Sequence, residues 1–517
     1  MKKFLSILLA LAITFTLPAG AGLQYSYAAT GTAISTPEDL KAMESNPSGN
    51  YYLANDIEVP SKLIMFKNSK KPFTGTLDGN GHKLNGYKYE TVVHKMNVAL
   101  FQNAEGATFK NLTVSNVDIN LKNGGSAASL VAEGKGCTYT NIKTTGTIKL
   151  KNRGTENDDG CDAAGIVDYE SGAATFKNCT NAINIEITHK GESAPQTAGV
   201  VNTVMDGSLT SCTNNGSITV THTPNNDWGS ETLNAAGVTI DYYGNKAVTG
   251  CKNTGSISVT GNNAAESGSF APVVAGVIIN ASESNVLSCT NSGKITVNNN
   301  VNRSYGASIG GVACEVVRLK KYVSKCSNNG SIKYSGVGII SSKKVSIGGV
   351  VAEAGKIEQS YNKGTISATG KFNASIGGIV GWTADMRNCY NTGSIIHKGS
   401  SGFAGGLAGE SNVLGGYIKS NYTTGKVSGN TGKQLFKGQV IGENSGGWDV
   451  RKRNTYDNYY KTSGKAYGHV DFTWKPWLPT AKKVSSISAK SCPKLSSKIW
   501  TYSSKYKRLI LKNNKEK

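Results

Sequence analysis

The chain lacks H-E-x-x-H, C-x-x-C and a terminal L-P-x-T-G. The first absence removes the helix-borne pair of zinc ligands with its base, and the second removes the spacing of most small zinc sites. The third removes a wall-sorting signal. Proline is scarce, 11 residues against 62 glycines in a chain of 517. The hydrophobic share, 38%, is low for one globular core. No run after the first 17 residues is long and apolar enough to cross a bilayer. His82, His94, His189, His222, His397 and His469 are each isolated, and none precedes a Glu, so they read as solvated or turn residues.

Acidic residues are also few, 34 against 56 Lys and Arg, for a net charge of +22. The excess is uneven: Trp448 to Lys517 holds 17 basic and 4 acidic residues. That end suits attraction of anionic polymers. No nucleic-acid motif accompanies it, so specific nucleic-acid binding is not expected. Residues 1–29 read as a secretory signal, with Lys2 and Lys3 before the apolar run Phe4 to Leu17 and small residues around Ala28. No Cys follows for lipid attachment, and no membrane span is expected in the mature chain. The expected location is extracellular, secreted or associated with the cell wall.

What the chain does have is a repeat. Between Ser346 and Ile395 it reads Ser-Ile-Gly-Gly-Val-Val, Ser-Tyr-Asn-Lys-Gly-Thr-Ile, Ser-Ile-Gly-Gly-Ile-Val, Cys-Tyr-Asn-Thr-Gly-Ser-Ile. Two half-motifs alternate, and fixed self-similarity of this kind marks a solenoid. The second half is anchored at Ile142, Cys179, Cys212, Cys251, Cys289, Cys326, Ser360, Cys389 and Asn421, 29 to 39 residues apart. The expected fold is all-β, a right-handed parallel β-helix with about three short strands per coil. Residues 30–98 would form the N-terminal cap and first coil, 99–447 the repeats, and 448–517 a basic, aromatic-rich C-terminal cap. In Cys212-Thr-Asn-Asn-Gly-Ser-Ile218, alternation puts Cys212 and Ile218 inward, while Asn215-Gly216 supplies positive φ at a corner. The acidic-capped helix Thr36–Leu40 would cover the first coil, and Phe73–Leu84 reads as strand, tight turn, strand.

Stacking turns repeated residues into columns. Asn181, Asn214, Asn253, Asn291, Asn328, Asn362 and Asn391 hold one register, which suits a hydrogen-bonded amide ladder. Cys179, Cys212, Cys251, Cys289, Cys326 and Cys389 hold another and read as small buried thiols rather than disulfides, because neighbours in a parallel stack point the same way. Tyr361, Tyr390 and Tyr422 should form an outward aromatic strip, either stacking on one another or packing against sugar rings. Glu133, Asp241, Glu315, Glu353, Glu410 and Glu443 fall at one corner, where polar corner residues are the simpler reading. Asp158, Asp159, Asp162, Asp168 and Glu170 form the best acidic cluster and read as a solvated loop, with Asp158, Asp159 and Asp162 a weak metal candidate. No catalytic residue or cofactor is assigned.

The pairing of Gly377-Gly-Ile-Val-Gly381 with Asn388-Cys-Tyr-Asn-Thr-Gly-Ser-Ile395 resembles GLUG repeats of bacterial secreted and surface proteins. The opening Thr36–Leu40, Tyr51–Ile57 and Phe73–His82 resembles the start of such chains, and Trp500 to Leu511 is similar to their closing segment. GLUG repeats also occur in immunoglobulin-A-cleaving metallopeptidases, but without H-E-x-x-H that activity is not carried over here. The sequence therefore points to a non-catalytic, monomeric, adhesin-like scaffold for glycans, wall polymers or host surface proteins. The alternatives are a polysaccharide lyase or hydrolase with its site near Asp158–Asp168, and a structural spacer without a ligand.

Overall fold

The computed structural model describes residues 30–516 apart from 94–95, 153–159, 225–231, 264–268, 282, 302, 319, 338–343, 413–415, 431–433, 446–453 and 472–477. Residues 1–29, read above as an export signal, and Asp158 and Asp159 lie outside the described residues.

One repeat shows how the chain forms a parallel β-helix. Val351–Glu358 lies in a first sheet, Tyr361–Asn362 and Ile366–Gly370 in a second, and Asn373–Gly377 in a third. Val380–Arg387 then re-enters the first sheet parallel to Val351–Glu358, with Val351 beside Val380. In the second sheet Asn362 sits beside Asn391, and in the third Ile347 sits beside Ile376. Inward positions fill one long core, from Ile34 to Ile441.

The N-terminal segment starts this stack. Helix α1 (Pro37–Ala42) opens with a capping box, in which Asp39 N donates to Thr36 Oγ1 at 3.2 Å and Thr36 N donates to Asp39 Oδ2 at 2.9 Å. Leu40 and Met43 join the core. Thr32–Ile34 pairs with Asn50–Leu53, which pairs with Thr76–Asp78, all in parallel. Thr76–Asp78 belongs to the first sheet and Lys83–Asn85 to the second, so the Asp78–Gly81 turn joins two sheets and makes no hairpin.

The two half-motifs meet inside the coil. Asn181 Nδ2 donates to Asn214 Oδ1 at 2.8 Å, and the same 2.8 Å bond recurs through Asn253, Asn291, Asn328, Asn362 and Asn391. Each amide also donates to the backbone carbonyl two residues on, as Asn291 does to Gly293 at 2.9 Å. The glycine of the other half-motif packs on this ladder. A Cβ on Gly276 would stand 2.6 Å from Asn291 Cγ and 2.0 Å from Gly311 O, and Gly199, Gly237, Gly311 and Gly349 meet their own asparagines in the same way. These glycines are fixed by space.

The corner differs from the sequence expectation. Positive φ falls on the residue just before the anchor, and not on Asn215-Gly216. Asn111, Asn141, Asn178, Ser211, Gly250, Ser288, Lys325, Gln359, Asn388, Ser420 and Asp457 hold it in successive coils, at φ of 46 to 67°. Gly216 is needed for closeness, since its Cβ would lie 1.9 Å from Ile183 O.

All ten cysteines are buried, and none of them is in a disulfide. Each anchor thiol points at the carbonyl two residues earlier, at 3.4 to 3.7 Å. The histidine reading is corrected for three residues. His189, His222 and His397 are buried, and the rings of His189 and His222 stack with centroids 5.1 Å apart. Each occupies an inward position of a second-sheet strand, so alternation overrides polarity.

Candidate functional site

Tyr361, Tyr390 and Tyr422 do stack in register, with ring centroids 5.0 Å apart at both steps. They are not an exposed strip. Their exposures are 2%, 0% and 0%, because the chain beyond residue 484 folds back over the outer face of the second sheet. An antiparallel hairpin, Trp500–Ser503 with Arg508–Leu511, supplies Trp500, Leu509 and Leu511 to the cover. Tyr422 Oη donates to Leu509 O at 2.5 Å, and Tyr390 Oη donates to Glu516 Oε1 at 2.7 Å. Arg508 Nη2 binds the same carboxylate oxygen at 2.7 Å. Nothing local at Tyr361–Tyr422 announces a cover that arrives from so far along the chain.

The acidic cluster is likewise not a solvated loop where it is described. Asp162 lies in the third-sheet strand Cys161–Ala164, and Asp168 and Glu170 lie in the first-sheet strand Val167–Lys177. Burial pushes the Asp162 carboxyl up to about 6 and that of Asp168 up to about 7, although Gln196 N and Asn202 Nδ2 donate to them at 3.0 and 2.7 Å. Glu170 points into the core. Burial raises its carboxyl to about 7, while Cys137 N and Tyr139 Oη donate to it at 3.0 and 2.8 Å. Gly134 leaves room for it, since a Cβ there would lie 1.9 Å from Glu170 Oε2.

The acidic corner is one continuous column on the first sheet. Glu133, Tyr169, Thr203, Asp241, Asn280, Glu315, Glu353, Trp382, Glu410 and Glu443 stand beside one another in successive coils. The column ends at His469, which sequence spacing did not place there. Lys344 Nζ reaches Glu410 at 2.7 and 2.8 Å. His469 Nδ1 lies 3.1 Å from Glu443 Oε1 and 3.3 Å from Asp471 Oδ1. Among the described residues, these three could supply a divalent cation with one nitrogen and two carboxylate ligands.

The outer face of the second sheet has another character. Thr113, Lys143, Thr180, Thr213, Lys252, Thr290 and Ser327 follow one another in register over seven coils. Hydroxyls and ammonium groups alone line this column, and it runs into the covered Tyr361. Where it meets the C-terminal tail there is a cleft of about 450 Å³.

Comparison with known proteins gives a partial likeness. Residues 33–146 match the family described as M26 IgA1-specific Metallo-endopeptidase N-terminal region. No curated protein matches the chain. A solved structure titled "IgA1 Protease" is similar at 16% identity with a TM-score of 0.33, covering 56% of this chain. The chain spans 21% of that protein's length. The family match overturns the sequence reading of a non-enzyme: the coils at residues 33–146 are of a kind found in a metallo-endopeptidase, so a missing H-E-x-x-H within these 517 residues does not support that reading.

Proposed function

We propose that this chain is an exported GLUG-repeat protein that engages extended polymers, glycans or cell-wall polymers, along the outer face of its second sheet. The observation that carries the reading is the column from Thr113 to Thr290, six coils that offer hydroxyls and lysines at the coil repeat of about 4.8 Å before it reaches the buried Ser327. A linear polymer laid on that face would meet the same chemistry at every step. A parallel solenoid supplies such a face without any inserted loop.

The test is size-exclusion chromatography of labelled bacterial and host polysaccharides after incubation with the full chain. Earlier elution of at least one polymer is expected. Unchanged elution of every polymer would refute the reading and leave a spacer. Later elution of shortened polymer would show that engagement is followed by cleavage and would send attention to the column that holds Glu353, Glu410 and Glu443.

A second reading is carried by the family match over residues 33–146. In it the β-helix engages immunoglobulin A1 as part of a peptidase. Incubation of the chain with immunoglobulin A1, with and without added zinc, tests this by the appearance of defined fragments or of a stable complex.

A further inference from the structure

The cleft between the second-sheet face and the C-terminal tail holds three lysines, Lys252, Lys325 and Lys515. Its floor carries Thr290 and Ser327, whose hydroxyls lie 3.1 Å apart, and Tyr361 closes one end. Asn514 fixes the tail beside it, donating through Nδ2 to Cys326 O at 3.2 Å and Gln359 O at 3.0 Å. No carboxylate is among the lining residues. Glu516, close by in sequence, is buried with Arg508 and Tyr390 instead. Among the described residues none of the three lysines forms an ion pair, whereas Lys344, Lys356 and Lys363 each face a carboxylate.

Three lysines line one cavity, and among the described residues no carboxylate pairs with any of them. Lys325 is half-buried and sits at the left-handed corner, with φ of 56°, where neighbouring coils use Ser288 and Gln359. A fixed cleft, lysines without an ion pair among the described residues and the Thr290 hydroxyl together define a ligand: an anionic, hydroxyl-rich chain. A volume of this size lies within the range of small-ligand sites, about 300–1,000 Å³.

We propose that this cleft binds an acidic polysaccharide, its carboxylate or sulfate groups held by Lys252, Lys325 and Lys515 and a sugar hydroxyl by Thr290, which the buried Ser327 holds in place. The inference rests on the polymer-binding reading above and assigns that face its charge specificity and one of its ends.

The experiment titrates the full chain with fluorescent polygalacturonate, sulfated dextran, neutral dextran and polyphosphate fragments. One variant combines Lys252→Ala, Lys325→Asn and Lys515→Ala, with Asn chosen because the same corner holds Asn in other coils. A control variant carries Lys41→Ala, Lys70→Ala and Lys71→Ala, far along the stack. Expected is binding of one or both acidic glycans that weakens about ten-fold or more in the cleft variant and stays within about two-fold in the control. It should also fade as salt rises from about 0.01 M to about 1 M, where the screening length falls from about 30 Å to about 3 Å. Acidic-glycan binding unchanged in the cleft variant would overturn the inference while sparing polymer binding. Equal losses in both variants, or polyphosphate bound as tightly as the glycans, would reduce the cleft to general charge attraction and also overturn it. If only neutral dextran binds, the inference fails and the wider reading stands; if nothing binds, both fail.

Discussion

Replacing Asn291 with Leu removes one link from the middle of the amide ladder. Asn291 gives one hydrogen bond to Asn328 Oδ1, one to Gly293 O, and takes one from Asn253 Nδ2, at 2.8, 2.9 and 2.8 Å. Leu is similar in volume but makes none of them. Three bonds at about 1 kcal/mol each give about 3 kcal/mol. Two carbonyl oxygens, on Gly293 and Asn328, also lose a donor inside the core, which adds about 1–2 kcal/mol. The greater apolar character of Leu returns about 1 kcal/mol, leaving a loss of about 3–4 kcal/mol. A solenoid is coupled mainly between neighbouring coils, so the loss should be local. Native-state hydrogen exchange reads it: amides around residues 251–257, 289–295 and 326–332 should lose protection by about two to three orders of magnitude, while those at 108–121 keep theirs. Protection unchanged within about 0.5 kcal/mol would refute the view that the ladder holds the coils together.

Gly276→Ala should lower the thermal midpoint by several degrees, because its Cβ would be 2.0 Å from Gly311 O; an unchanged melt would show that the ladder yields to the methyl. Burial raises the folded Glu170 carboxyl to about 7 from its ordinary 4.5, so the folded state keeps a proton that the unfolded chain gives up. Stability from this group is greatest below about 4.5 and falls as pH rises toward about 7; melts at pH 5 and 8 should show that fall, and Glu170→Gln should flatten it. Removing residues 484–517 should bare Tyr390 and Tyr422, seen as strong binding of an environment-sensitive dye and slow aggregation. Denaturation without reductant should release thiols that react at all ten cysteines; six or more unreactive ones would overturn the free-thiol description.

The sequence displays whatever recurs at a fixed offset. Asn291, Cys289 and Ile295 repeat coil after coil, so the columns and the coil they imply can be read without coordinates. The left-handed corner is harder, because Asn215-Gly216 is the stronger local turn signal, while the turn falls on Ser211, a residue of no fixed type. Gly216 is glycine for want of space, which only the neighbouring coil reveals. Contacts across long separations are invisible in the same way. Tyr422 meets Leu509 and Tyr390 meets Glu516, so a strip that should face water ends beneath the tail. His189 and His222 look polar in isolation and are placed inside by strand alternation. The cleft could not be foreseen, since Lys252, Lys325 and Lys515 come from three distant parts of the chain.

The amide ladder has a direction. Every link donates from the earlier coil to the later one, beginning where Thr144 Oγ1 donates to Asn181 Oδ1. A coil that brings one asparagine and one facing glycine can therefore be added or deleted anywhere between Thr144 and Asn391 with both neighbours still satisfied. Gene-level duplication of a single repeat would lengthen the rod by about 4.8 Å and leave both ends untouched. The protein is built so that its reach is adjustable in uniform steps, with the helix at one end and the folded-back tail at the other kept as fixed fittings.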